Sequence, residues 1–98
     1  MPAGVLQVLA DPLRWQIVTL LADEQLCTCH LVELTGARQT NISNHLRVLR
    51  RAGLVEAAPA GRFTYYRLLP GLLVGLGHQL DELADSAARA GTRRRPCP

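Results

Sequence analysis

Apolar residues recur at helical spacing along most of the chain, and the stretches where that spacing stops mark the other elements. Val5, Leu6, Val8 and Leu9 form a short helix-like apolar stretch. Asp11 and Pro12 read as an N-cap and a first helical residue: a carboxylate can accept the free N–H groups of a first turn, and proline has no N–H to lose there. Leu13, Ile17, Leu20 and Leu21 follow at helical spacing, with Trp15 and Val18 widening the face, to an end near Ala22 and Asp23. Leu26-Cys27 reads as a short extended piece. Thr28 can cap a third helix over residues 29–35, closed by Gly36. After the break Gly36-Ala37-Arg38, Gln39 or Thr40 caps a longer helix to about Ala52, with Ile42, Leu46 and Leu49 inward and Gly53 closing it. Residues 54–57 and 63–67 then predict two strands, joined by Pro59-Ala60-Gly61-Arg62 as a hairpin tip. Pro70 opens a final helix to about Arg89, striped by Leu72, Leu73, Leu76, Leu80 and Leu83. Gly71, Gly75 and Gly77 weaken that helix by roughly 1 kcal/mol each relative to alanine, so it needs a packing partner.

A short helix, a glycine-containing turn and a second helix make a helix-turn-helix, and the hairpin behind it makes a winged one. The predicted fold is mainly α with a small β-hairpin. Residues 1–90 form one domain and residues 91–98, with Arg93-Arg94-Arg95, a disordered tail. The composition narrows the picture. A 98-residue chain that is 48% hydrophobic buries about 60–65% of its unfolded surface, and so high an apolar fraction in so short a chain points to more surface buried in a partner subunit. No stretch approaches the ~20 apolar residues of a membrane span, and no signal peptide is evident. The charge is uneven: residues 1–37 carry one arginine against four acids, whereas residues 38–67 carry six arginines against Glu56 alone. That +5 block covers the second helix of the helix-turn-helix and the hairpin, where DNA would meet such a unit. Three cysteines, an odd number, do not make a disulfide framework; free thiols in a reducing cytosol fit better, and the expected location is cytoplasmic.

Three segments carry a resemblance. Ala10-Asp11-Pro12-Leu13-Arg14, the run Ser43-Asn44-His45-Leu46-Arg47-Val48-Leu49-Arg50-Arg51-Ala52-Gly53-Leu54-Val55, and Gly61-Arg62-Phe63-Thr64-Tyr65-Tyr66-Arg67-Leu68 resemble the arsenic-repressor (ArsR/SmtB) family of bacterial metal-responsive repressors. The resemblance covers roughly residues 5–85. Leu26-Cys27-Thr28-Cys29-His30-Leu31 is similar to the Cys-x-Cys metal box of the arsenic- and cadmium/lead-sensing branches. It implies a homodimer, joined through the first and last helices, that represses an operon from double-stranded operator DNA until an inducer binds. The arsenic branch often has a third cysteine where this chain has Val32, and the last helix lacks the Asp and His pattern of the zinc-sensing branch, its one histidine being His78.

The residues say which chemistry sits where. With Ile42, Leu46 and Leu49 inward, Gln39, Thr40, Asn41, Ser43 and Asn44 face the groove, where asparagine and glutamine can pair with adenine. Arg47, Arg50, Arg51 and, at the wing tip, Arg62 suit phosphate contacts, which position without reading sequence. Thr40 either caps the helix or contacts DNA, and Ser43 has the same capping alternative. His45 either faces phosphate or packs on the preceding helix, while Tyr65 and Tyr66 are sheet-packing residues before they are stacking platforms. Cys27 and Cys29 are candidate metal ligands because thiolates suit As(III), Cd, Pb, Zn and Cu(I). In a continuous helix they would point about 200° apart; at the very start of a helix, with the chain extended, both can face one ion. Cys97 is the only other thiol and the candidate third ligand; His30 reads as a surface histidine before it reads as a ligand. The expected function is a dimeric repressor of a metal(loid)-resistance operon, released by As(III) or Sb(III), with no organic cofactor and no membrane. The alternative keeps the repressor but has it sense Cd, Pb, another soft or transition metal, or thiol oxidation. An enzyme using Cys29 and His30 is disfavoured, since sequence neighbours diverge by about 100° on a helix and no orienting acid is visible.

Overall fold

The computed structural model describes residues 2–98. Five helices and three strands follow in the order α1 (Pro2–Leu9), α2 (Pro12–Leu21), β1 (Leu26–Cys27), α3 (Thr28–Thr35), α4 (Gln39–Arg51), β2 (Val55–Ala60), β3 (Phe63–Leu68) and α5 (Gly71–Ala90). The core is built from Ile17, Leu21, Leu31, Ile42, Leu46, Leu49 and Leu54, all nearly inaccessible to solvent, with Val5 and Leu9 of α1 buried at its edge. α3 and α4 pack against each other and against α2, so the helix-turn-helix sits on the second helix as on a platform. The fold is the expected winged helix-turn-helix, mainly helical with a small antiparallel sheet.

The two ends of α2 and α4 show how local chemistry sets the path of the chain. Asp11 takes an extended conformation and its carboxylate accepts the N–H groups of Leu13 and Arg14 at 2.9 and 3.0 Å, with Pro12 opening the helix. Those N–H groups, Arg14's first, and the charge of Arg14 hold the Asp11 carboxyl below the ordinary carboxylate value. Replacing Asp11 by alanine should cost about 0.5–2 kcal/mol of stability, as lost N-caps do, read by urea denaturation. The sign follows from the depressed value: the stabilisation is present above the ordinary carboxylate value and is lost as pH falls through the lowered one. The wild-type advantage over Asp11→Ala should therefore vanish in acid.

At the other end of the reading unit, α4 closes with a complete Schellman turn. Gly53 N–H donates to Arg50 O and Leu54 N–H to Leu49 O, both at 3.0 Å, and Gly53 holds φ at +79°, which a side chain would strain. The turn drops Leu54 into the core and starts β2.

The sheet order is β1-β3-β2, antiparallel throughout. Two details differ from the sequence expectations, and a third bears one out and completes it. Pro59 and Ala60 are not in the hairpin tip; they pair with Thr64 and Phe63 in the ladder, leaving Gly61 and Arg62 as the two-residue loop. β2 is an edge strand, where a proline loses no ladder bond, and Gly61 at φ +63° makes the Gly-first tight turn. The caps of α3 and α4 are Cys27 and Arg38, each one residue or more before the expected Thr28 and Gln39 or Thr40. Thr40 is therefore the second residue of α4, not its cap. Finally, the short extended piece at Leu26-Cys27 is a third strand, paired with Tyr66 and Tyr65 of the wing.

α5 stands apart from the core. Its 20 residues include none that is buried; Leu73 and Leu76 only lean on the core, while Leu72, Val74, Leu80 and Leu83 are exposed, the last at 67%. The molecule extends 63 × 22 × 20 Å with a radius of gyration of 17.6 Å, against ~13 Å for a compact domain of this length. Beyond Ala90 the chain has no helix or strand.

Candidate DNA interface and thiol site

The outer face of α4 follows from its inner one. Because Ile42, Leu46 and Leu49 are buried, Gln39, Thr40, Asn41, Ser43, Asn44, Arg47, Arg50 and Arg51 are all exposed. The polar residues come first along the helix and the arginines last, where cations also favour the helix C-terminus. Arg62 is exposed in the hairpin loop. Cationic residues thus flank a row of amide and hydroxyl side chains, the combination that positions on phosphate and reads base edges. Arg67 does not join them: it pairs with Glu56 across the β2–β3 ladder.

His45 is differently placed. It is half-buried, its Nδ1 accepting from the Arg14 guanidinium at 3.1 Å and its Nε2 lying 4.0 Å from the Asp11 carboxylate. Arg14 in turn donates from Nε to the Val8 carbonyl at 2.6 Å. This Asp11-Arg14-His45 cluster ties the end of α1 and the start of α2 to the middle of α4. Sequence spacing could not reveal it, since His45 and Arg14 are 31 residues apart. Tyr65 and Tyr66 are half-buried in the central strand, with Tyr66 against the core.

The thiol site forms where β1 becomes α3. Cys27 is the last residue of the strand and the cap of the helix, extended at φ −88°, ψ 170°, so its side chain does not follow the helical period. Cys29 sits on the first turn. The change of conformation between them removes the 200° divergence and brings their Sγ atoms to 2.7 Å. The ladder bond to Tyr65 holds Cys27 in place from one side. From the other, its own N–H donates to His30 Nδ1 at 3.1 Å, the backward half of a capping box.

The two thiols are chemically unequal. The hydrogen bond from Cys29, with the N–H groups of the first helical turn, favours ionisation at Cys27 and holds it below the ordinary thiol value. The same bond pushes Cys29 above it. Cys27 is buried and Cys29 exposed, so the pair is anchored on one side and open on the other. His30 Nδ1 also lies 3.2 Å from Cys27 Sγ, but its lone pair is already committed to the Cys27 N–H. Among the described residues no group of three or more His, Cys, Asp or Glu is placed to hold a metal ion. Cys97 is exposed on the tail and is not among the residues around the pair.

A cavity of about 450 Å³ opens beside the thiols. Besides Cys27, Thr28 and Cys29 it is lined by Val32 of α3, Gln39 at the start of α4, and Arg62, Phe63, Thr64 and Tyr66 of the wing. The thiols, the first residue of the reading helix and the wing tip therefore border one space. The sequence singled out Cys27, Cys29, Gln39 and Arg62 but not their convergence, and it assigned no role to Phe63, whose exposed ring is the unusual feature of the wing.

A helix-turn-helix with an exposed arginine at its wing tip is the architecture of a DNA-binding protein. Comparison with known proteins gives the family. The pattern of the bacterial regulatory protein, arsR family, matches residues 11–57. The arsenical resistance operon repressor of Escherichia coli is 35% identical over 83 residues, covering 84% of this chain and 71% of that one. An ArsR-like transcriptional regulator from Rhodococcus superposes with a TM-score of 0.79 at 30% identity, covering 90% of this chain and 83% of the other. The homodimeric winged helix-turn-helix DNA-binding domain of a possible ArsR-family regulator from Mycobacterium bovis superposes at 0.69 and 27% identity, covering 96% and 86%. The chain belongs to the ArsR family.

Proposed function

We propose that the protein is a homodimeric repressor of a metal(loid)-resistance operon, released from its operator when As(III) or Sb(III) is taken up by Cys27 and Cys29. The observation that carries this reading is the shared cavity: the thiols border the same space as Gln39 and Arg62. A soft ion drawn between the thiolates reshapes the start of α3, and through that space the start of α4 and the wing. A ligand shifts such an equilibrium only by binding one state better; here that is the state in which α4 and the wing no longer match the groove and phosphates together. The likeness to an arsenical resistance operon repressor supports the class of inducer.

Two copies are needed for a near-palindromic operator, with reading helices about 34–36 Å apart. The uncovered apolar face of α5, with Leu6 of α1 exposed as well, supplies the dimer surface, and the Mycobacterium bovis relative is homodimeric. In the reading unit Gln39, Thr40, Asn41, Ser43 and Asn44 contact bases, Arg47, Arg50, Arg51 and Arg62 contact phosphates, and His45 orients α4 from behind through Arg14. Cys97, on the tail after α5, is the candidate third sulfur for an inorganic ion, delivered from either subunit. The free thiols support a working place in a reducing cytoplasm.

A gel shift on the promoter upstream of the coding sequence, with and without arsenite, tests the reading. The reduced protein should bind and arsenite should release it. Asn44→Ala should cost roughly 1–3 kcal/mol on the operator and much less on random DNA. Arg47→Ala should weaken both and lower the salt slope by about one unit. Binding that arsenite leaves untouched, or equal losses on both DNAs for Asn44→Ala, would contradict it.

A further inference from the structure

The contacts behind α4 join it to α1 through one side chain. Val8 lies in the last turn of α1, where a carbonyl has no N–H of its own helix to accept, and it accepts from Arg14 Nε at 2.6 Å. The same guanidinium reaches on through Nη1 to His45 Nδ1 at 3.1 Å. An arginine only donates, so Nδ1 is the bare nitrogen of the ring, and Nε2 carries the proton on the side of the Asp11 carboxylate, 4.0 Å away. The guanidinium is planar and rigid, and two bonds from its fork fix the two acceptors relative to each other. His45 is the seventh of the 13 residues of α4, its midpoint. The buried Ile42, Leu46 and Leu49 hold α4 to the core, but apolar burial is not directional. A slight turn of α4 about its axis keeps that burial and breaks the bond at His45, and the exposed Asn44 and Arg47 swing with it. α1 lies against α5, so the far end of the link is the surface that carries Leu6, Leu80 and Leu83.

We propose that Arg14 and His45 are positioning residues that lock each reading helix to the dimer base, and so set the half-site spacing the protein accepts on DNA. The inference rests on the homodimer proposed above and deepens it to the spacing specificity of its operator. About a two-fold axis through the α1–α5 surface the link Val8–Arg14–His45 occurs twice, once in each subunit. With both links closed, the distance and angle between the two α4 helices are fixed. One base pair added at the centre of an operator moves a half-site by about 3.4 Å and turns it by about 35° around the duplex. A rigid dimer cannot follow that displacement. With the links open, α4 turns on its apolar seat and takes up part of the mismatch. Spacing is then read by two residues that touch no base.

The test uses the reduced full-length protein and three duplexes: the operator upstream of the coding sequence, the same operator with one base pair inserted at its centre, and the same with one removed. Affinities are read by gel shift at low salt, where phosphate contacts keep all of them measurable. The wild type should bind the unaltered operator at least about tenfold more tightly than either altered one, because a misplaced second half-site forfeits avidity. Arg14→Lys leaves one donor group on a flexible stem, which cannot hold Val8 and His45 together. His45→Phe keeps a ring and removes the acceptor. Both variants should sediment as dimers and bring the ratio down to about threefold or less, as avidity returns on the altered duplexes. His45→Asn puts an acceptor oxygen near the position of Nδ1 and should restore most of the ratio. The ratio is the readout because a variant that is merely less stable weakens on all three duplexes alike. Either Arg14→Lys or His45→Phe keeping the wild-type ratio, His45→Asn behaving as His45→Phe, or a wild-type dimer indifferent to spacing overturns the inference and leaves the dimer standing. A wild type that sediments as a monomer overturns the dimer, and this inference with it.

Discussion

Replacing Leu80 and Leu83 together by glutamate should convert the proposed dimer to monomers and lower operator affinity by about two to four orders of magnitude. Both side chains are exposed on a helix that contributes no buried residue to its own chain. The double substitution therefore removes no part of the core, and circular dichroism should show the fold intact. In a dimer the same positions would place four carboxylates in an apolar seam, a burial that charged groups do not survive unpaired. The size of the DNA effect comes from valency. Once one half-site is bound, the second reading helix binds at an effective concentration set by its tether, and avidity of this kind exceeds single-site affinity by ~10²–10⁴. Sedimentation velocity at micromolar concentration, paired with a gel shift, reads both quantities. A double variant that still sediments as a dimer would show that α5 is not the interface.

Cys27→Ser and Cys29→Ser should each leave operator binding near wild type and abolish release by arsenite. Serine is among the best N-cap residues, so Cys27→Ser keeps the start of α3 and the core around it. What is lost is the second sulfur. A single thiolate cannot bridge the ion across the strand–helix junction, and the coupling between inducer and DNA, ~1–3 kcal/mol or about 5–150-fold in affinity for linkages of this type, disappears. The two positions differ in one respect. Their shared hydrogen bond holds Cys27 below the ordinary thiol value and Cys29 above it, so in the wild type the pair should titrate in two steps, one below and one above that value. Thiol alkylation followed against pH reads the steps; in Cys29→Ser the lower step should rise, because the hydroxyl is a weaker partner for the remaining thiolate. Release persisting in either serine variant at the same arsenite concentration would remove the pair as sensor.

The helices could be read from the chain because their causes are local. Asp11-Pro12 starts α2 and Gly53 stops α4 by capping and φ preference alone, and the buried triad Ile42, Leu46 and Leu49 is the inner stripe that the spacing predicts. The same locality explains the near misses. A cap is chosen by backbone conformation as well as by residue type, so Arg38 and Cys27, poor capping residues by type, took positions expected of Gln39 or Thr40 and of Thr28. Pro59 reads as a turn residue unless one knows that its strand lies at the sheet edge. That knowledge is a property of strand order and is not carried by the residues around it.

The site divides along the same line. Which side chains carry chemistry was determined by the sequence: two thiols two residues apart at a helix start, a polar and cationic outer face on α4, and an arginine at the hairpin tip. Their convergence was decided by tertiary structure. The pairing of Cys27 with Tyr65, across 38 positions of chain, sets the extended conformation that turns the two sulfurs toward each other, and it brings the wing against α3 so that Phe63 and Arg62 border the same cavity as the thiols. The contact of His45 with Arg14 belongs to this second group; the uncovered leucine stripe of α5 does not, since its glycines and the high apolar fraction of so short a chain already asked for a packing partner. Periodicity and capping act between residues a few positions apart, and so are written in the chain; strand pairing and helix docking join residues tens of positions apart, and only the packed fold chooses among the partners that local chemistry allows.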